Sequence, residues 1–269
     1  MSDINRPVAY KDLNFLEGHD GRAVRILSEY LEPLARFEAR GVSDTVVMYG
    51  SARMISREEA EANLSAAEKA GDDLSQAKRD MTNAGYYEAA RELAHRITKW
   101  GHDLDSDGNR FVVCSGGGPG IMEAANRGAA EAGGDNIGLN INLPFEQKEN
   151  PYITPELTFQ FHYFFMRKFW FVSLAKAIIV FPGGFGTMDE LFDVLTLNQT
   201  GKLSQKISIV LFGTDYWNSV LNLGAMVDAG TISPADLDHF HQTDDIDDAF
   251  DYVTCDLSDN AMDCPAIIL

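Results

Sequence analysis

Residues 177–198 read AIIVFPGGFGTMDELFDVLTLN, and this stretch decides the fold. Its first five residues are apolar, as in a buried strand, and they are followed by a proline and glycine loop and then by a helical pattern. The same order of strand, glycine loop and helix recurs at residues 111–132 and, with a shorter loop, after residues 46–49. Such alternation indicates an α/β fold, a doubly wound, mostly parallel sheet with helices on both faces.

The rest of the chain extends this pattern in a single domain, residues 1–269. Two further strands are predicted at residues 137–143, closed by Pro144, and at residues 207–212. Residues 1–44 form a predicted N-terminal helical arm, in which Pro33 is expected to kink or divide the helix.

A helical insertion is predicted at residues 55–83. Ser56 and Glu59 have the spacing of a capping box, and Gly71 is expected to end the helix that they begin. A second helix is predicted from about Ala84 to Trp100, with Gly101 as its stop.

Composition excludes several classes of function. With 41 acidic and 22 basic residues, the formal net charge is -19, which repels nucleic acid polymers. The three cysteines show no paired spacing, so reduced thiols in the cytoplasm are expected instead of a disulfide or zinc framework. No leader pattern opens the chain, and Arg167 and Lys168 interrupt its most apolar stretch, so neither secretion nor membrane contact is predicted.

Three strand exits carry small or glycine-rich loops. Ligands of open parallel sheets bind outside the carboxyl ends of the strands, and a helix that begins there presents free amides and a positive dipole end, which suits phosphate. The alternative is that these glycines only make tight turns. The candidate substrate-binding residues in the loops are Gly50 and Ser51, Gly117 and Gly118, and Gly183, Gly184, Gly186 and Thr187.

Charged residues near the last loop are the candidates for catalysis. Glu190 lies three residues after Thr187 and so shares its helical face, whereas Asp189 suits a partner of the helix dipole. Arg167 belongs to an almost wholly apolar helix and therefore requires an anionic partner. Lys168, beside it, is a further substrate-binding candidate, and His162 is interpreted as structural.

These residues resemble a known family. Residues 182–190 reproduce the P-G-G-x-G-T-x-x-E signature of the LOG family of cytokinin-activating phosphoribohydrolases, and the Arg167–Lys168 pair stands where that family has its own. The resemblance covers roughly residues 45–235 and is greatest to a longer bacterial branch that is AMP nucleosidase-like.

The resemblance implies a Rossmann-like homodimer without metal or organic cofactor; surfaces rich in Tyr, Trp and Phe are also compatible with a larger homo-oligomer. It would hydrolyse AMP or an N6-substituted AMP, a cytokinin nucleotide, to free base and ribose 5-phosphate. By this resemblance Gly184, Gly186 and Thr187 would bind the phosphate, Arg167 and Glu190 would form the catalytic pair, and Thr196 would contact substrate.

Two other functions are compatible with parts of the sequence. Members of the family have been labelled lysine decarboxylases, but that reaction requires a Schiff-base lysine, and Lys168 is the only lysine near the predicted site. A non-catalytic carrier of a nucleotide or of molybdenum cofactor would use the glycine loops without needing the Arg167 and Glu190 pair. Whether Arg167 would hold the phosphate or assist the leaving purine stays open at this stage.

Overall fold

Seven parallel strands form one sheet in the computed structural model, which describes residues 7–104, 109–143, 150–203 and 206–261. The order across the sheet is β4-β3-β2-β1-β5-β6-β7. The strands are β1 (Thr45–Tyr49), β2 (Val112–Ser115), β3 (Asn136–Ile141), β4 (Thr158–Phe161), β5 (Ala175–Val180), β6 (Ser208–Phe212) and β7 (His241–Thr243). This arrangement is the predicted α/β, Rossmann-like class.

Helices cover both faces of the sheet because its central strands are apolar on both sides. In β1, Val47 and Tyr49 face one helical layer while Val46 and Met48 face the other, and all four are buried. The helices are α1 (Leu13–Glu17), α2 (Arg22–Ala39), α3 (Arg57–Ala70), α4 (Ser75–Asp103), α5 (Ile121–Glu131), α6 (Phe164–Ser173), α7 (Phe185–Gln199), α8 (Thr214–Val220), α9 (Leu223–Asp228) and α10 (Ile246–Asn260). The first core contains side chains of α2, α6, α7 and α8, and the second contains side chains of α4, α5 and α10.

The N-terminal half shows where sequence patterns succeed and fail. Half of the predicted capping box of α3 is present, since the Ser56 side chain accepts a hydrogen bond from the Glu59 amide. Gly71 ends the helix at a φ of 72°. The next helix, α4, begins at Ser75 instead of about Ala84, because the polar residues between them include neither glycine nor proline to stop a helix. It also continues past Gly101, its predicted stop, to Asp103. Pro33 does not divide its helix, as α2 continues from Arg22 to Ala39.

Two strands were not predicted. The edge strand β4 has only four residues, and the other edge strand, β7, has three, with the polar sequence HQT. Pro144 and Cys264 lie outside the described residues, and Cys114 and Cys255 are free thiols. Within the described ranges, no helix combines the length and the apolar character that a membrane crossing requires.

The strand order reverses at β1, and this reversal positions the site. The chain moves from β1 to β2, β3 and β4 on one side and then returns to place β5 on the other side of β1. Loops that leave β1 and β5 therefore diverge to opposite faces of the sheet and leave a crevice between them, the usual ligand position in such folds.

Candidate functional site

The three predicted loops meet at this crevice. Backbone pairing continues beyond the strands, since the Ser51 amide donates to the Pro182 carbonyl at 3.0 Å. On the other side, the Ile121 amide donates to the Ser51 carbonyl at 3.1 Å. The loop after β1 is thus held between the other two, and a cavity of about 660 Å³ opens above them.

Most of the predicted site residues line this cavity, but four do not. Those in the lining are Gly50, Ser51, Arg167, Gly183, Gly184, Gly186, Thr187 and Glu190. The four outside it are Gly117, Gly118, Lys168 and Thr196.

The start of α7 faces the cavity with unsatisfied donors. Gly184 precedes the helix and, in the described structure, no side chain caps it, so the first-turn amides are available to a ligand. Thr187 is only 6% exposed, yet its hydroxyl has no hydrogen-bond partner among the described residues. A Cβ at Gly183 would collide with the Thr187 hydroxyl, so glycine is required there for the loop to fold back on the helix. These groups form a cradle for an anion.

Arg167 and Glu190 form an ion pair in the cavity wall. Arg167 projects from α6 and Glu190 from α7, and the Arg167 Nη2 lies 3.2 Å from the Glu190 Oε1. The side chains are 12% and 13% exposed, respectively. The Arg167 Nε is buried and has no partner among the described residues, so Arg167 can donate a further hydrogen bond.

The surroundings of Glu190 favour its neutral form. Burial raises the pKa of Glu190 to about 7, although the Arg167 guanidinium opposes that shift. Tyr49 and Cys114 interact with the Glu190 charge, which together with burial raises the pKa of the Tyr49 phenol and of the Cys114 thiol. Both groups are therefore neutral at physiological pH. A carboxyl group with a pKa near neutrality can exchange a proton at physiological pH, which is the property of a general acid or base.

Lys168 points away from the cavity. Its ammonium group lies 2.9 Å from the Asp189 carboxylate and 3.6 Å from the Asp193 carboxylate, on the surface between α6 and α7. The adjacent residues Arg167 and Lys168 therefore pair with different carboxylates because successive helical positions point about 100° apart. Thr196 lies further along α7, where its exposed side chain donates to the Phe192 carbonyl at 2.7 Å.

The glycine loop after β2 makes a turn, and only Gly116 of its glycines lines the cavity. Gly117 is buried, and its amide donates to the Ser115 hydroxyl at 3.0 Å, so this amide is not free for phosphate. At Gly120, where φ is 73°, a Cβ would collide with the Ser51 carbonyl. The glycines here let the loop pack tightly against the loop after β1, the alternative that the sequence left open.

Sequence reasoning missed several lining residues. Phe164 and Phe185 form an apolar side of the cavity and are 52% and 97% exposed, while Arg53 lies at its mouth. The Tyr216 hydroxyl donates to the Gly183 carbonyl and so braces the loop before α7. Phe185 and Arg53 adjoin the predicted loops and were detectable, whereas nothing in the sequence links Tyr216 to a loop over thirty residues before it.

Comparison with known proteins identifies similar chains. A family model described as "Possible lysine decarboxylase" matches residues 122–253. A cytokinin riboside 5'-monophosphate phosphoribohydrolase of Arabidopsis thaliana is 30% identical over 152 residues, which are 55% of this chain and 64% of that protein. A probable enzyme of the same name from Oryza sativa subsp. japonica is 29% identical over 161 residues, 56% of this chain and 67% of that protein. The match thus spans about two thirds of the length of these relatives.

Among solved structures, a molybdenum cofactor binding protein from the phototrophic bacterium Rippkaea orientalis superposes with a TM-score of 0.48 at 16% sequence identity. The superposition covers 80% of this chain and 96% of that one.

Proposed function

Because the chain belongs to the LOG family, we propose that it is a phosphoribohydrolase that cleaves the N-glycosidic bond of AMP or an N6-substituted AMP. The products are the free base and ribose 5-phosphate. The single observation that carries the proposal is the Arg167 and Glu190 pair, 3.2 Å apart in the wall of a cavity that also contains the anion cradle of Thr187. A protein that only carries a nucleotide has no need of a largely buried carboxyl group that titrates near neutral pH.

The proposed pose places the phosphate at the first turn of α7. Backbone amides of residues 185–187 and the unpartnered Thr187 hydroxyl supply donors there, and the helix dipole favours negative charge. Glu190 follows about one helical turn later, roughly 5 Å along the axis, so the ribose extends from the phosphate towards its carboxylate. The base then lies against the apolar side of the cavity, at Phe164 and Phe185.

The chemistry is hydrolysis and consumes only water. The bond between the purine N9 and the ribose C1' breaks with its electron pair going to the purine, which takes up a proton from solvent; Glu190 later returns to solvent the proton that it accepts from the attacking water. Positive oxocarbenium character develops on the ribose, and the Glu190 carboxylate stabilises it. Water adds to C1' and loses a proton to the same carboxylate, which acts as the general base. Arg167 keeps a useful fraction of Glu190 ionised despite burial, since it lowers the pKa that burial raises.

Product analysis tests this proposal. The purified protein is incubated with AMP, and adenine and ribose 5-phosphate are quantified by chromatography. We expect the two products in equal amounts, with far slower release of adenine from adenosine because the phosphate anchor is missing. AMP that stays bound and intact would refute the hydrolase in favour of a carrier.

We also propose that the chain forms a homodimer through an apolar stripe on α2. Val24, Leu27 and Leu31 lie on one side of this helix and are 42%, 54% and 50% exposed. Leu27→Lys is expected to halve the mass measured by light scattering after gel filtration, whereas Ala62→Lys, on the exposed side of α3, is the matched control. An unchanged mass for Leu27→Lys would contradict this interface.

A further inference from the structure

A second arginine lies at the mouth of the cavity. Arg53 follows the loop after β1, and its side chain is exposed and contributes to the lining. Among the described lining residues, Arg53 and Arg167 are the only basic ones. The chain has 41 acidic and 22 basic residues, so an arginine at the mouth of a cavity provides a local positive charge in a protein that is negative overall.

The two arginines differ in what they contact. Arg167 is 12% exposed and already bound to Glu190. The Arg53 guanidinium forms no ion pair or hydrogen bond within the described ranges; only its backbone amide is engaged, as a donor to the Ser51 hydroxyl at 3.1 Å. An unpaired guanidinium can offer its planar fork of donors to an anionic ligand.

The backbone that carries Arg53 is held in place. Ser51 is bonded through its amide to Pro182 and through its carbonyl to Ile121, and Gly120 packs against that carbonyl. The loop therefore presents Arg53 from a fixed backbone next to the loop that leads into α7. The cavity contains an independent sign of a ligand there: Thr187 is a buried residue that lines the cavity, and its hydroxyl has no hydrogen-bond partner among the described residues.

We propose that Arg53, together with the first-turn amides of α7 and the Thr187 hydroxyl, binds the 5'-phosphate of the substrate. This inference rests on the proposed function and assigns different roles to the two arginines. Arg53 recognises the phosphate, and Arg167 acts at the opposite end of the ribose, beside Glu190. Arg53 is thus a specificity-determining residue that distinguishes nucleoside monophosphates from nucleosides, because a nucleoside lacks the phosphate that the guanidinium would bind.

The test uses ribose 5-phosphate, whose binding does not depend on hydrolysis. Its dissociation constant is measured by calorimetry at low salt for the unaltered protein, for Arg53→Met and for Arg57→Met. Arg57 is the matched control, since it is also an exposed arginine, four residues later and outside the cavity lining. We expect Arg53→Met to weaken binding by about ten- to a hundredfold, the range of a hydrogen bond to a charged group, and Arg57→Met to leave it unchanged.

Two further measurements sharpen the result. Arg53→Lys keeps the charge and is expected to recover part of the affinity, which would not happen if the loss came from a disordered loop. Arg53→Met is also expected to flatten the salt dependence of binding, because one cation no longer meets the phosphate.

The inference and the proposed function fail separately. If AMP is not hydrolysed but ribose 5-phosphate binding still depends on Arg53, the phosphate assignment stands and the hydrolase does not. If the unaltered protein does not bind ribose 5-phosphate, or if Arg53→Met and Arg57→Met bind it equally well, the assignment of Arg53 is overturned.

Discussion

Replacing Glu190 with glutamine preserves the shape of the side chain and removes its charge, so it isolates the role of the carboxylate. With a pKa of about 7, Glu190 is ionised to about one tenth at pH 6 and to about nine tenths at pH 8. If the carboxylate is the active form, kcat/KM for AMP in the unaltered protein rises about tenfold over this interval. Glu190→Gln is expected to lower turnover by about a hundredfold or more and to abolish the rise through pH 7.

The same pKa shift predicts an effect on stability. The ordinary pKa is 4.5, and burial raises it to about 7 in the folded protein. Between these values the native state holds the proton more tightly than the unfolded state, so the free energy of unfolding falls as pH rises through the window. The total loss is about 3 kcal/mol, and it is complete above the folded pKa. Glu190→Gln should therefore flatten this part of the stability profile.

Adenine release measured from pH 6 to pH 8, with urea unfolding across pH 4.5 to pH 8, checks both effects. The second pKa of a phosphate ester lies near 6, so ionisation of the substrate adds its own rise at the acid end. The glutamine variant measures that contribution alone, since it lacks the titrating side chain. Turnover near normal in Glu190→Gln, or a fully retained rise through pH 7, would refute the assignment of Glu190 as the base.

Three other changes probe the cavity and its support. Arg167→Gln should lower kcat/KM by about a hundredfold, the scale for loss of a charged group at a reacting centre. Lys168→Met should leave turnover near normal and change the free energy of unfolding by under about 1 kcal/mol. Equal losses of turnover in the two variants would contradict the different roles of these cations. Gly120→Ala combines a positive φ with a clash against Ser51 and should cost about 3 kcal/mol or more in urea unfolding, whereas Gly133→Ala, with a φ of 79° and open space around its Cβ, should cost about 1 kcal/mol. Pyridoxal phosphate added to the protein should produce no visible absorbance band, and a stable band would revive the decarboxylase alternative.

The sequence predicted the central part of the fold because local patterns and tertiary structure agree there. Apolar runs of four or five residues that lead into glycine-containing loops became β1, β2 and β5, which are buried on both faces. The edge strands β4 and β7 escaped prediction because strands of four and three residues with half-exposed polar positions have too weak a pattern. The long helix α4 was cut short because its first turns are polar and contribute little to the periodicity.

The sequence predicted the site residues that share one face of a helix, and it missed those whose position depends on tertiary contacts. Thr187 and Glu190 share a face of α7, as their spacing predicts, and the apolar neighbours of Arg167 indicated an anionic partner. Sequence order alone does not indicate that Lys168 would turn to the surface, or that Tyr216 would brace the loop before α7. Such contacts depend on how helices are placed over the sheet, which no local pattern encodes.

The most direct test of the account is a crystal structure of Glu190→Gln with AMP bound and uncleaved. The account predicts the phosphate at the first turn of α7, within hydrogen-bond distance of the Thr187 hydroxyl, with C1' facing the substituted side chain at position 190. A nucleotide bound elsewhere, or bound in this cavity with its ribose turned away from position 190, would contradict it.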